Sequence, residues 1–291
     1  MNWKTIAQMP TLCVFVLCLA SAQNLETDDA REMVTITYPN ALSTHVTGIN
    51  DRRDLVGSFR LHAEGAGPTL HGFTLLHDEF AAVDVPGAQF TRCIAVNNQD
   101  RVIGLYGDST GIHGFTLRAH MLKAVNFPGA IQTIPQGINE RGQIVGAYID
   151  SSGATHGFIR SKGVYSTLDV PGAKGTLAGG LNDKGEIVGN YDDSAGRTHG
   201  FLLKEGAFTT IDVPQATVFT FATNVNQRGE IVGLYADSTT QHGFVIVGGE
   251  IKVFDPPGAI FTGAMRNNAR GDLAGWFTSA SHDHGFVATA D

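Results

Sequence analysis

Apolar and polar positions along this chain alternate in short runs, each stopped by Gly, Asn, Asp or Pro. The stretch from Thr176 to Pro214 shows the grammar. Thr176–Leu181 (TLAGGL) reads as a strand, and Asn182-Asp183-Lys184-Gly185 supplies turn chemistry. Glu186–Tyr191 (EIVGNY) is a second strand, followed by a loop at Asp193-Ser194-Ala195-Gly196. Thr198–Leu203 (THGFLL) is a third, and Glu205-Gly206 is a two-residue hairpin signal. Phe208–Val213 (FTTIDV) is a fourth, and Pro214 stops it. No stretch sustains a 3.6-residue period with caps, so helices are not expected.

The same grammar recurs along the chain. His-Gly-Phe occurs at His71, His113, His156, His199, His242 and His284, with spacings of 42, 43, 43, 43 and 42. Pro-Gly-Ala or a relative begins at Pro39, Pro86, Pro128, Pro171, Pro214 and Pro257. Asn followed by an apolar pair and Gly ends at Gly57, Gly104, Gly146, Gly189, Gly233 and Gly275. Four short strands in each repeat of about 43 residues is the signature of a propeller blade. The expected fold is therefore an all-β, six-bladed β-propeller of four-stranded blades over 33–291.

The two ends of the repeat region complete each other. Met33–Tyr38 (MVTITY) is a fourth strand with no third strand before it, and His284–Thr289 (HGFVAT) is a third with no fourth after it. A ring closed by the N-terminal strand joining the last blade explains both, whereas an open solenoid leaves two unpaired edges. Ahead of the ring, residues 1–22 read as a secretory signal. Lys4 is the positive n-region, Thr11–Leu19 the apolar stretch, and Ala20-Ser21-Ala22 the cleavage site. Residues 23–32 are polar and acidic and are expected to form a loose arm. The expected location is thus secreted, extracellular or periplasmic, with no membrane span.

Composition sharpens this picture in three ways. Glycine contributes 36 of 291 residues, which suits a chain of many tight turns. The net charge of −8 argues against nucleic acid as a partner. Of the three cysteines, Cys13 and Cys18 lie in the signal, leaving Cys93 in an apolar stretch as a lone structural thiol. No internal disulfide is available to the processed chain, and a monomer is expected.

Several repeated polar residues invite chemical readings. Thirteen residues separate His71 from Asp84, His113 from Asn126, His156 from Asp169, His199 from Asp212 and His242 from Asp255. Across a two-residue hairpin each His falls opposite its partner, which satisfies two polar groups at once. Chemistry needs one site, so near-identical pairs spread around a ring read as scaffold. The Asp-Ser loops at Asp108, Asp150, Asp193 and Asp237 lack the converging ligands that calcium needs, and read as Asx turns. No metal site and no cofactor is expected.

These residues resemble the HAF family of extracellular repeats, named for a His-Ala-Phe motif. The likeness lies in the His-Gly-Phe strands, the Asp-Val-Pro-Gly-Ala strand ends, the Asn-x-x-Gly turns (Asn139-Glu140-Arg141-Gly142) and the Ile-Val-Gly that follows. It covers the repeat region, with Gly replacing Ala in all six triplets. The resemblance implies secretion and a propeller-like fold, and carries over no catalytic residue.

Departures from the repeat point to a site. Residues 59–70 form the longest loop expected between second and third strands, and bring Arg60, His62 and Glu64. Arg92 and Arg266 sit on expected innermost strands, and Trp276 stands where most repeats place Tyr. Arg60, His62, Arg92, Arg266 and Trp276 are therefore the candidate ligand-binding residues, in the sector where the last, first and second blades meet. Cations on an acidic body suit an anionic or saccharide ligand, such as an extracellular glycan, or a protein partner. The expected function is a non-catalytic binding module. The alternative is a propeller enzyme, a lyase or hydrolase, with a loop-built site.

Overall fold

The computed structural model describes residues 31–63, 66–280 and 282–290; side chains at positions 62–69 fall outside this description. The expected signal at 1–22 and most of the arm expected at 23–32 also lie outside the described residues. The described residues form 24 strands and no helix. The first is β1 (Glu32–Ile36). Then follow β2 (Ser43–Ile49), β3 (Leu55–Ala63), β4 (Ala66–Leu76) and β5 (Glu79–Val83), hydrogen-bonded in that order. A second four-stranded sheet holds β6 (Phe90–Val96), β7 (Val102–Asp108), β8 (Gly111–Arg118) and β9 (Met121–Val125). A third holds β10 (Gln132–Ile138), β11 (Ile144–Ile149), β12 (Thr155–Ser161) and β13 (Val164–Thr167).

The next eight strands form one sheet. They are β14 (Gly175–Leu181), β15 (Ile187–Asp192), β16 (Thr198–Lys204), β17 (Ala207–Ile211), β18 (Phe219–Val225), β19 (Ile231–Ala236), β20 (Gln241–Val247) and β21 (Glu250–Phe254). Its two halves meet through a single parallel pair, Thr198 with Phe219. The last sheet contains β22 (Phe261–Asn267), β23 (Leu273–Thr278) and β24 (Asp283–Thr289), completed by β1 from the other end of the chain. Five residue pairs, from Glu32 with Thr289 to Ile36 with Gly285, join β1 to β24. The arrangement is an all-β propeller.

The strands β2, β6, β10, β14, β18 and β22 neighbour one another around a central axis. A belt of buried asparagines closes that circle. Nδ2 of Asn50 donates to Asn97 O at 3.3 Å, Asn97 to Asn139 O at 3.0 Å, and Asn139 to Asn182 O at 3.3 Å. Asn182 donates to Asn226 O at 3.0 Å, Asn226 to Asn268 O at 2.9 Å, and Asn268 returns to Asn50 O at 3.0 Å. Each opens the turn of its repeat, with Gly as the fourth residue of the turns that begin at Asn139, Asn182, Asn226 and Asn268, and with Arg53 or Asp100 at positive φ in those that begin at Asn50 and Asn97. One residue thus folds the local turn and ties it to the next.

Packing follows from the His-Gly-Phe strands. All six Phe rings (Phe73, Phe115, Phe158, Phe201, Phe244 and Phe286) are buried between sheets. The preceding glycine lets the neighbouring sheet approach. A Cβ at Gly72 would lie 3.0 Å from Cys93 Sγ, and one at Gly285 would lie 2.7 Å from Val46. Cys93 is a fully buried free thiol, and burial raises its pKa. The stretch expected as a loop at residues 59–70 is instead a lengthened hairpin, with Arg60 opposite Leu70 and Ala63 opposite Ala66. Its alternating Phe-Arg-Leu-His-Ala simply continues the strand period.

Candidate functional site

The inner strands begin at one rim of the ring, here the upper face, and end at the asparagine belt. On the upper face the structure brings three of the predicted residues together at the junction of the last repeat with the first two. Arg60 lies on β3 opposite Ser43, Arg92 on β6 opposite Leu105, and Trp276 on β23 opposite Gly263. They surround His45 on β2, which is not among the candidate residues read from the sequence. Its Nε2 lies 2.8 Å from Asp283 Oδ2, and its ring stacks on the Trp276 indole at 4.3 Å and 2°.

The electrostatics here set two protonation states. Burial pushes the Asp283 carboxyl up, but hydrogen bonds from His45 and Thr278 outweigh it and hold the pKa below the usual range. For His45, burial wins over Asp283, and the charges of Arg92 and Arg60 add to it, so its pKa falls. The imidazole is therefore neutral near pH 7. An ionised carboxylate can only accept, so Nε2 carries the proton. Arg92 is half-buried, with Nε sealed from solvent and without a hydrogen-bond partner. Burial and the nearby Arg60 charge lower its pKa. Among the described residues neither Arg60 nor Arg92 forms an ion pair. A cavity of about 140 Å³ opens beside the cluster, lined by Leu42, Ser43, Thr44, Asp283 and His284 among others.

Arg266 requires correction. It is 4 % exposed and does not join this face. Its Nη1 donates to Thr223 O at 2.6 Å and Met265 O at 2.9 Å; its Nη2 donates to Gly179 O at 3.3 Å and to Gln136 O. The side chain thus crosses the axis from β22 to β14 and β10 and plugs the ring. The cause is a β-bulge: the β22–β23 ladder shifts register between Ala264 and Arg266, which re-aims the next side chain. Every inner strand carries the equivalent shift, for example between Val46 and Gly48. Burial lowers the Arg266 pKa to about 10, so the plug stays charged near neutrality.

Two further expectations change. His62 falls on β3, but its side chain lies outside the described residues. Trp276 takes the register position of Leu105, Ala147, Asn190 and Leu234, and Phe277 rather than Trp276 holds the place of the repeated Tyr. The Trp276 indole is not an open platform for a sugar ring, because Phe261 also stacks on it, at 4.6 Å. His45 and Asp283 were not among the candidate residues of this sector. They meet across the closure, 238 positions apart.

The repeated histidines show more order than the spacing implied. Nδ1 meets Asp84 from His71, Asp169 from His156 and Asp212 from His199, each at 2.8 Å, and Asp255 from His242 at 2.6 Å. The His113–Asn126 pair needs correction: His113 Nε2 lies 2.8 Å from Thr110 Oγ1 and 3.3 Å from Asp108 Oδ1. An amide at 126 brings no charge to hold the ring. The loop aspartates also approach Nε2, with Asp150 3.4 Å from His156, Asp193 3.3 Å from His199 and Asp237 3.4 Å from His242. Those same aspartates cap their own turns; Asp150 Oδ1 accepts from Ser152 Oγ and from the amides of Ser152 and Ala154.

A pH dependence of stability follows. The hydrogen bond to Asp169 raises the His156 pKa above 6.5. Burial lowers that of His199, but bonds to Asp212 and Asp193 reverse this and leave it raised. A histidine with a raised folded pKa stabilises fully below its unfolded value of about 6.5, and that gain fades as pH rises through the folded pKa. Hydrogen bonds to Ser152 and the turn amides hold the Asp150 pKa at about 2, a gain present at all but acidic pH. His45 acts in the opposite sense, losing stability below about pH 6.5. We expect the melting temperature of the His156→Gln/His199→Gln double variant to fall less between about pH 6 and 8 than that of the wild type. Parallel profiles would show that these histidines do not titrate with folding.

Asp54, His77 and Asp100 place one ligand atom each within 4.8 Å of one another. The Asp54 carboxylate already accepts from Asn50 Nδ2, Arg52 Nε and the His77 amide, and Arg52 also binds Asp100. A cation there would have to displace Arg52. At the lower face the belt rims a cavity of about 60 Å³, lined by Asn50, Asn139, Asn226, Asn268 and the Arg266 plug among others.

No protein-family model matches the chain, and no curated protein sequence does. Solved structures do resemble it. TolB from Acinetobacter baumannii has a TM-score of 0.56 at 11 % identity, over 81 % of this chain and 63 % of that one. The chain thus spans less than two thirds of that protein. The β-propeller domain of the Trilobed protease from Pyrococcus furiosus, described as having an open velcro topology, gives 0.56 at 9 %, over 90 % and 85 %. AofleA from Arthrobotrys oligospora gives 0.53 at 12 %, over 88 % and 86 %. At such identities the likeness concerns the fold alone, and the fold is that of a β-propeller.

Proposed function

We propose that this chain is a secreted, six-bladed propeller of HAF-type repeats that serves as a non-catalytic binding module for an anionic ligand. Six blades are supported by the six-membered asparagine belt and by the single residue pair that joins the halves of the eight-stranded sheet. Secretion is supported by the charge, apolar run and small-residue site within 1–22. The observation that carries the binding reading is the couple Arg60 and Arg92. Among the described residues these two guanidinium groups form no ion pair, although the Arg60 charge reaches the Asp283 carboxylate. Guanidinium groups pair bidentately with carboxylate, sulfate or phosphate oxygens, which gives orientation as well as attraction.

Calorimetric titration of the full chain with uronic acids, aliphatic and aromatic carboxylates, and their neutral isosteres tests this. At least one anionic probe is expected to bind, with affinity about tenfold weaker in the Arg60→Gln/Arg92→Gln variant. No anionic binder, or equal binding by that variant, overturns the reading. One observation favours the alternative, a propeller enzyme: His45 is neutral, held at Nε2 by Asp283, with no partner for Nδ1 among the described residues. Such an imidazole can serve as a base. Probe turnover that is lost in His45→Gln would favour that alternative.

A further inference from the structure

The inner strands present one side chain each at the same register position, directly after a buried threonine. These residues are His45, Arg92, Ile134, Leu177, Phe221 and Gly263, opposite Ser58, Leu105, Ala147, Asn190, Leu234 and Trp276. The preceding threonines, such as Thr44 and Thr91, are buried, while all but Gly263 of the collar are half-buried. The missing side chain at Gly263 is replaced by the Trp276 indole, whose Nε1 lies 3.0 Å from where a Cβ would be. The collar therefore has two unlike arcs. One holds His45 and Arg92, with Arg60 behind them. The other holds Ile134, Leu177 and Phe221, none of which can form a side-chain hydrogen bond. Beneath the collar the Arg266 guanidinium closes the axis.

From this division we infer that the ligand is amphipathic, a small carboxylate carried on an aryl or alkyl body. The inference rests on the anionic-ligand reading above and narrows it. A carboxylate set against Arg92 and Arg60 gains charge-assisted hydrogen bonds from donors that have no side-chain acceptor among the described residues. The buried cation of Arg266 favours a negative group from below. The body then lies across the half-buried Ile134, Leu177 and Phe221, where removal of apolar surface from water is the main gain on offer and the Asn190 amide beside Leu177 is the polar exception. A polyhydroxylated ring in the same place would lose water from several hydroxyls and find only the Asn190 amide as a partner on that arc, which is costly. The stacking of His45 and Phe261 on Trp276 occupies the indole as a platform for a sugar.

Titration calorimetry on the full chain separates these cases with three probes: 3-phenylpropanoate, its neutral alcohol 3-phenylpropan-1-ol, and galacturonate. One equivalent of 3-phenylpropanoate is expected to bind, with the alcohol and galacturonate each at least about tenfold weaker. Arg92→Gln should weaken 3-phenylpropanoate about tenfold, and Phe221→Ser about fivefold. Leu177→Asn repeats the second test on another repeat, and thermal melting identifies any variant that has failed to fold. Galacturonate binding more tightly, with loss in Arg92→Gln and none in Phe221→Ser or Leu177→Asn, overturns the amphipathic ligand but leaves the anionic reading standing. Equal binding of alcohol and acid, no binding of either acid, or indifference to Arg92→Gln overturns both.

Discussion

Removal of residues 23–38 is expected to leave a chain that aggregates or melts far below the intact protein. The excised segment carries β1, whose five pairs with β24 complete the last sheet. Met33 packs against the cluster that includes Phe254 and Phe286, and Ile36 and Tyr38 pack against that of Val46 and Phe73. Tyr38 also stacks on Phe59 at 3.6 Å. Full burial of such a side chain contributes about 1.5–3 kcal/mol, and these three are half-buried, so together they contribute a few kcal/mol against the roughly 5–15 kcal/mol of a whole domain. The loss also strips β24 of its ladder partner and leaves an unpaired edge ready to recruit a second chain. Size-exclusion chromatography and a melting curve test this. A monomeric truncated chain that melts within about 5 °C of the intact one would remove the strand exchange from the account of stability. As a control, Val34→Ser on the exposed side of β1 should change stability by no more than about 0.5 kcal/mol.

What could be read from the sequence is what local periodicity controls. A six-fold motif with fixed spacing shows the strands, the turns and the His-to-Asp geometry, because a two-residue hairpin leaves no freedom in register. At the expected turn Glu205 does take positive φ, as do Lys162 and Gly248 at the equivalent turns, each followed by a glycine. The strand shared between the two chain ends was legible for the same reason, as two fragments of one repeat. Arg266 was misplaced because a bulge lies one residue before it, and nothing in Ala264-Met265-Arg266 announces an extra residue. His45 and Asp283 were missed as a pair because their contact exists only once the ring closes. The asparagine belt hid behind a sufficient local explanation. Each Asn is a good turn residue, and its Oδ1 does accept turn amides, as Asn182 does from Lys184 and Glu186. The same side chain's Nδ2 is the long-range half of the arrangement, and turn chemistry alone does not require it.

That second half makes Asn182 the most sensitive single position to test. Its side chain is fully buried. Besides the two amides it accepts, its Nδ2 donates to Asn226 O at 3.0 Å and to Glu186 Oε2 at 2.6 Å. Asn182→Ala deletes all four bonds and strands buried groups on both sides, at a cost of about 2–4 kcal/mol. The melting temperature should fall by roughly 5–10 °C. Asn182→Asp separates the two roles of the residue. It keeps the oxygen that organises the turn but replaces the donor with a second acceptor, aimed at a carbonyl and at the Glu186 carboxylate. Like charges in a buried site raise the pKa of the introduced carboxyl. A raised folded pKa means that stability is retained below the unfolded value of about 3.9 and lost as pH rises through the folded one. Asn182→Asp should therefore be the less stable of the two near pH 7 and regain ground on Asn182→Ala as pH falls toward about 4. If Asn182→Ala costs under about 0.5 kcal/mol, the belt contributes nothing beyond the turns. If Asn182→Asp matches the wild type at neutral pH, the donor that links neighbouring repeats is dispensable, and the ring is held by its sheets alone.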